Sequence, residues 1–416
     1  MISSIWMIVR RSLRQHALST SITVLAAALA CGLVMSVFVM ANQARLAFAG
    51  QHMDFDAVLG ARGSQTQLVL NTIFHLETSP GNIPYTMYKT VKENRLVKRA
   101  IPYAVGDNYR GFRIVGTTSE IFAEDSGFGF RIAGKGIPFN DDKTHAVIGS
   151  EVARTEGLKL GDMFHPYHGL NFNEQLKHSE QYFVVGILDP TNSPNDRAIW
   201  IPLEGIWRMG GHFNNAQGAM VEAQPGVPLN DADLEVSAVL LKFHSPISGK
   251  MLGDQINQQG DVATLAWPIA TVVAQLFHKL GWMHQVLKIV AYLVVVVAGG
   301  GLLASVYNTM NERRREFAIL RALGARRSTV FSTILLESST IAGLGAILGF
   351  AIYALIMGVG AYYVRESVGV HLTVFEFDPI MYWAPLGMLV VGAIAGILPA
   401  FNAYGTDVAD TLSRTS

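Results

Sequence analysis

Ser21 to Ala41 reads SITVLAAALACGLVMSVFVMA and holds no charged side chain. At 1.5 Å rise per residue, these about 21 positions cover the roughly 30 Å hydrocarbon core of a bilayer. This run decides the fold class, because buried helices of soluble proteins are seldom so long and so evenly apolar. Three further uncharged runs follow, Ile289 to Tyr307, Ser338 to Val364 and Ile380 to Tyr404. Membrane spans are therefore expected over 21–41, 287–307, 330–364 and 380–404.

Composition agrees. The 416 residues are 50% apolar and 15% charged, against roughly 25% charged in soluble domains, and the mean hydropathy is +0.29. Lys plus Arg and Asp plus Glu are both 32, so there is no basic excess to release counterions from a phosphate backbone and nucleic acid is excluded as an expected partner. The single cysteine, Cys31, rules out an internal disulfide or a Cys-cluster metal site and reads as a small core residue of the first span. A rival reading of that span is a cleaved signal peptide, since Ala47-Phe48-Ala49 offers a small-residue site; the run is too long for a usual signal core.

Orientation follows from basic residues in short flanks. Arg10, Arg11 and Arg14 precede the first span, and Arg313, Arg314, Arg315, Arg321, Arg326 and Arg327 lie between the second and third. Both flanks are expected in the cytoplasm, as are both termini, including the tail 405–416. Residues 1–16 form an amphipathic pattern, with Ile2, Ile5, Trp6, Val9 and Leu13 on one side, suited to the inner lipid surface.

The segment 43–285 is ordinary in charge and is expected to be a mixed α/β (α+β) extracytoplasmic domain in two lobes. Strand-like runs occur at Phe112 to Gly116, Ala146 to Gly149, Tyr182 to Leu188, Ala198 to Pro202 and Val236 to Phe243. Pro84 is placed to open a helix running to about Val97. Ser150 is placed to cap a helix over Glu151 to Glu156, with Gly157 ending it.

Little catalytic chemistry is visible. No G-x-x-x-x-G-K-[ST] loop and no nucleophile elbow occur, so the chain has neither of these routes to hydrolysis. His165, His168 and His178 are the candidate metal ligands, but their spacing reads first as a surface loop, and no metal is expected. Gly299 and Gly300 in the second span, Gly345 and Gly349 in the third, and Gly392 and Gly396 in the fourth have the small-residue spacing of close helix packing.

The chemically densest stretch is Asn311 to Arg327, NERRREFAILRALGARR, entering the third span through Glu337 at its inner edge. Phe317, Ile319, Leu320 and Leu323 give it an apolar ridge beside the arginines, and Gly324 can end it. It reads either as a positive-inside anchor or as a docking helix for a soluble partner.

ERRREFAILRALGA (Glu312 to Ala325), Glu337 and GILPAFNAYGTDVADTL (Gly396 to Leu412) resemble the FtsX-like and MacB-like permeases of type VII ABC systems. AVIGSEVARTEGLKLGD (Ala146 to Asp162), YFVVGIL (Tyr182 to Leu188) and DRAIWIPLEGI (Asp196 to Ile206) are similar to that family's outer domain, and DAVLGARGS (Asp56 to Ser64) resembles a bacterial subgroup of it. The chain departs where the family often has an Arg and it reads Asn402, Ala403 and Tyr404.

The resemblance implies an FtsX-like permease domain over about 287–412 and a pair of such chains in a bacterial inner membrane. Two cytoplasmic ABC ATPase subunits would bind the ATP and Mg, since this chain carries no cofactor of its own. It implies docking of those subunits on Glu312, Arg313, Arg314, Glu316, Leu320, Arg321, Gly324 and Ala325. Force would pass to the outer domain to move an amphipathic cargo such as a peptide, lipoprotein, lipid or drug. The alternatives are a mechanical relay to an extracytoplasmic partner with nothing transported, and a metal-linked export component.

Overall fold

The computed structural model describes residues 2–49, 54–124, 126–141, 144–210, 227–370 and 372–404. The tail expected over 405–416, with the end of the closing motif, lies outside the described residues. By internal packing the chain divides into two units. One takes residues 2–44, 281–363 and 372–404; the other takes 45–280 and 364–370.

The first unit is helical. It contains α1 (Ile2–Gln15), most of α2 (Ala17–Ala49), the greater part of α8 (Ile269–Glu312), α9 (Arg314–Ala322), most of α10 (Arg327–Val368), and α11 (Ile380–Tyr404). Among the described residues, four helices are long and apolar enough to cross a membrane, over Ala17–Leu46, Gly281–Glu312, Arg327–Ser367 and Ile380–Asn402. Large apolar side chains such as Val297, Ile347, Leu355 and Leu398 are exposed along them, as lipid-facing positions require and a water-facing surface would penalise.

The second unit is built on a mixed sheet. Its strands are β1 (Ala57–Ala61), β2 (Ile83–Pro84), β3 (Val97–Tyr109), β4 (Phe112–Thr117), β5 (His145–Ile148), β6 (Met163–Phe164), β7 (Tyr167–His168), β8 (Tyr182–Ile187), β9 (Ala198–Pro202), β10 (Glu235–Val236), β11 (Ala238–Phe243) and β12 (Ala263–Ala266). Among the described residues ten of these form one sheet, in the order β12-β1-β11-β3-β4-β9-β5-β8-β6, with β7 also on β3. β4 and β9, and β5 and β8, run parallel, while the other neighbours are antiparallel. β2 and β10 pair separately.

The long strand β3 unites this sheet. Val97 to Tyr103 pair with β11, and Ala104 to Tyr109 pair with β4. The two expected lobes are thus one sheet with two cores, one on each face. Alternation assigns residues to them: Leu59, Ala100, Ile114, Ile199 and Leu241 point one way, and Val58, Ile101, Val115, Trp200 and Leu240 the other. The first face is covered by α4 (Tyr85–Lys92), α6 (Leu203–Arg208) and α7 (Pro246–Gln259), the second by α3 (Gln65–Phe74) and the opening turns of α8 through Ile269, Val272 and Val273. A sheet buried on both faces explains the nearly continuous apolar strands, such as the fully buried AIWIP of β9.

Two local expectations are corrected. The helix after Pro84 stops at Lys92, and Val97 already begins β3, whose β-branched and aromatic residues prefer the pleated surface. In α5 (Ser150–Glu156) the N-cap is Gly149, not Ser150, and no side chain caps it; Gly157 ends the helix at φ 70°, as the sequence suggests.

Candidate functional site

The basic stretch between the second and third spans folds as α9, closed by Gly324 at φ 100°. The Gly324 amide donates to the Arg321 carbonyl and the Ala325 amide to the Leu320 carbonyl, so two carbonyls left over at the helix end are satisfied. Arg314, Arg315, Ile319 and Leu323 are exposed, Leu320, Arg321 and Ala325 are half-buried, and Phe317 and Ala318 are buried. The apolar ridge read from the sequence therefore splits. Phe317 turns inward to anchor the helix, while Ile319 and Leu323 turn outward among arginines.

Arg313, read as a docking residue, is also corrected: it is 6% exposed and faces the interior. Its Nη1 donates to the Ser12 hydroxyl and to Glu337 Oε2 at 3.3 Å, and its Nε donates to Glu316 Oε2 at 3.1 Å. Ser12 in turn donates to Glu337 Oε1 at 2.6 Å. The guanidinium also stacks 5.0 Å from the centre of the Phe317 ring. One buried ion pair with its hydroxyl thus ties α1, α9 and α10 together. Glu312, beside it, lies 3.3 Å from His16 Nδ1. Sequence reasoning missed Ser12; its signal was the inward face of α1, where it follows Ile5 and Val9 at i+7 and i+3.

Five of the six glycines are closely packed against neighbouring helices. Side chains at Gly345 and Gly349 would strike Ala27 and Cys31 on α2, and at Gly392 and Gly396 they would strike Ala342 and Ser338 on α10. Gly299 stands 2.9 Å, from its missing Cβ, to Val391 on α11. Gly300 differs: nothing lies within 4 Å of that position, so Gly299 alone makes the approach on its helix. At the far end of α2, Gln43 clamps Thr373 in both directions, its Nε2 donating to the Thr373 carbonyl at 2.8 Å and its Oε1 accepting the Thr373 amide at 2.9 Å.

In the second unit, Val364 to Val368 are the last residues of α10. Arg365 donates through Nε and Nη2 to Glu151 Oε2, both at 3.1 Å, and Arg154 also pairs with Glu151. Burial works against the charge of Glu151, yet the hydrogen bonds from Arg154 and Arg365 hold its carboxyl below the usual range. Nothing in their local spacing links these residues, 214 positions apart.

The histidines divide. His168 Nδ1 and His178 Nε2 lie 3.4 and 3.2 Å from Asp107 Oδ1, and one ligand atom from each of these three residues lies within 4.8 Å of the others. His165 stands apart, with Nδ1 3.2 Å from the His178 carbonyl and Nε2 3.0 Å from Gln181 Nε2. Asp107 is the member that sequence reasoning missed, because nothing in its local spacing links it to the two histidines.

Two family profiles match in tandem. The MacB-like periplasmic core domain matches residues 20–239, more than half of the chain, and the FtsX-like permease C-terminal matches residues 288–408. The macrolide export ATP-binding/permease protein MacB of Nitrobacter winogradskyi is 29% identical over 131 residues, 32% of this chain and 19% of its own. The protein of the same name from a Shewanella strain is 24% identical over 235 residues, 56% of this chain and 33% of its own. The chain spans about a fifth to a third of the length of these relatives. Among solved structures, the periplasmic region of MacB from Actinobacillus actinomycetemcomitans aligns with 55% of this chain and 94% of its own, at 10% identity and a TM-score of 0.34. The extracellular domain of the noncanonic ABC-type transporter YknZ from Gram-positive bacteria aligns with 50% and 99%, at 14% identity and 0.30.

Proposed function

The chain belongs to the family of permeases that join a MacB-like periplasmic core domain to an FtsX-like C-terminal segment, and on that premise we propose that it is the non-catalytic membrane subunit of an ABC transporter. The observation that carries the reading is α9, whose exposed Arg314, Arg315, Ile319 and Leu323 surround a helix fixed from behind by buried Phe317 and Arg313. An apolar patch rimmed by fixed cations suits a protein surface bearing acidic side chains. That surface belongs to a cytoplasmic ATPase, present in two copies on a pair of these chains in a bacterial inner membrane, with both termini of each chain inside.

Force applied to α9 passes through Arg313, Glu337 and Ser12 to α10 and α1. Three helices then carry it onward, since the boundary between the packing units falls inside α2, inside α8 and inside α10. The uncharged runs of the spans offer no lining for a polar substrate, Glu337 being engaged by Arg313. The stroke therefore works on an amphipathic cargo such as a peptide, lipoprotein, lipid or drug, handled by the sheet domain.

The test is gentle purification of the tagged chain from its native membrane. A stoichiometric ATPase is expected with the wild type. The Arg314→Glu/Leu323→Asp variant should lose it at least about tenfold while inserting normally, a loss of about 1.4 kcal/mol or more. An ATPase retained by that variant, or absent under nucleotide trapping, removes the docking role. Reconstituted vesicles that hydrolyse ATP and move no candidate cargo would replace transport by a mechanical relay.

A further inference from the structure

We propose that Asp107, His168 and His178 form a binding site for a single zinc-class divalent cation, with one coordination position open toward solvent. The proposal stands apart from the transport reading and concerns the sheet domain alone.

The backbone places all three ligands. Asp107 and His168 are register partners across the β3–β7 ladder. The His178 amide donates to the Pro166 carbonyl at 2.9 Å. Asn108 Nδ2 holds the intervening turn through the carbonyls of Tyr167 at 3.3 Å and Gly169 at 2.8 Å. Asp107 itself lies where the β3–β4 register shifts between Val105 and Asn108. Such irregularities re-aim side chains beside functional sites, and here the carboxylate meets the two imidazoles.

The distances fit the ion. With bonds of 2.0–2.1 Å to imidazole nitrogen and carboxylate oxygen, the edge of a tetrahedron about zinc is about 3.4 Å. The two edges from Asp107 Oδ1 are 3.2 and 3.4 Å. The third edge lies within 4.8 Å, and it closes by rotation of His168, whose side chain is 46% exposed. Two nitrogens and one carboxylate oxygen are a borderline donor set of the kind that zinc prefers to magnesium or calcium.

Burial is graded in the direction an entering ion needs. Asp107 is fully buried, the His178 side chain is 9% exposed, and His168 forms the open rim. A carboxylate so deeply buried needs opposing charge, which its contacts with His168 and His178 supply only in part. A divalent cation supplies that charge while both imidazoles are neutral, the form in which they bind metal. Three protein ligands and an exposed fourth position are the arrangement of sites that exchange a water or an outside ligand.

The experiment uses the full chain in detergent, carried on a tag without histidine, stripped with chelator and dialysed against zinc ion alone. One equivalent of zinc per chain is expected. His168→Gln and His178→Gln should each weaken binding at least about tenfold, taking the loss of a second-shell partner as the lower bound, whereas His165→Gln should leave it within about twofold. Cobalt substituted for zinc should give the strong visible absorption of a tetrahedral ion, abolished by the same two changes. His168 lies on the rim, so its variant will fold; a folded His168→Gln chain that binds zinc as the wild type does overturns the proposal. Failure of the wild type to bind, or equal weakening by His165→Gln, overturns it as well.

Discussion

Separating Arg313 from Glu337 should be costly, and restoring neutrality should recover most of the cost. Glu337→Leu leaves a guanidinium that is 6% exposed facing the Ser12 hydroxyl. Removing one partner of a buried pair costs about 3–5 kcal/mol. Glu316 remains on Nε at 3.1 Å but its side chain is 52% exposed, and such a pair returns at most about 1 kcal/mol. The expected net loss is about 2–4 kcal/mol. Arg313→Met strands the Glu337 carboxylate with Ser12 alone and should cost about 3–5 kcal/mol. In the double variant no buried charge is left, and apolar side chains of similar length should bring the cost below about 1 kcal/mol. The assay is reversible unfolding of the full chain in mixed micelles, followed through Trp282 and Trp383 of the helical unit. A coupling energy of at least about 4 kcal/mol is expected; single losses that add to within about 0.5 kcal/mol would refute the reasoning.

Gly392→Val should loosen α11 from α10, because its side chain would strike Ala342 and the Ser338 carbonyl; about 1–3 kcal/mol is expected from overpacking in the same assay, and no loss would mean the helices are free to separate. His75 bonds through Nε2–H to Asn195 Oδ1 and through Nδ1 to the Tyr103 hydroxyl, and burial pushes it down from 6.5 to about 4. Below pH 6.5 the unfolded chain takes up a proton that the folded one does not, so stability should fall between pH 6.5 and 4 by up to about 3 kcal/mol. His75→Gln should flatten that part of the profile, and an unchanged slope would assign it elsewhere. Glu151, held low by Arg154 and Arg365, contributes stability above the ordinary carboxylate value that is lost as pH falls through its folded value; Arg365→Gln should reduce this acid-dependent loss, measured by thermal unfolding between pH 6 and 3.

The spans, the mixed α/β class and the position of α9 are legible in the sequence because each rests on local periodicity or on an uncharged run. Five strands were read for the same reason, as at Ala198–Pro202. What escaped is non-local. Ala57–Ala61 is short and glycine-containing, and only pairing with β11 and β12 makes it a strand. The charge of Arg313 signalled an exposed position, but a partner 24 positions away and a serine near the N-terminus reverse that expectation. Asp107 and His178 meet through a register shift and a returning loop, neither of which has a compositional mark.

β1 is paired on one side with β11, in the register Ala57 to Leu241, and on the other with β12. Both partners follow it by roughly 180 residues or more, and at 5–20 residues per second a nascent chain needs roughly ten to forty seconds to supply them. Through that interval AVLGA has two open edges and no sheet, the condition in which an apolar strand recruits a wrong neighbour. Biosynthesis of this protein therefore creates a standing demand for a holding factor on the side of the membrane where the domain emerges, and depletion of such factors should trap the chain before its central sheet closes.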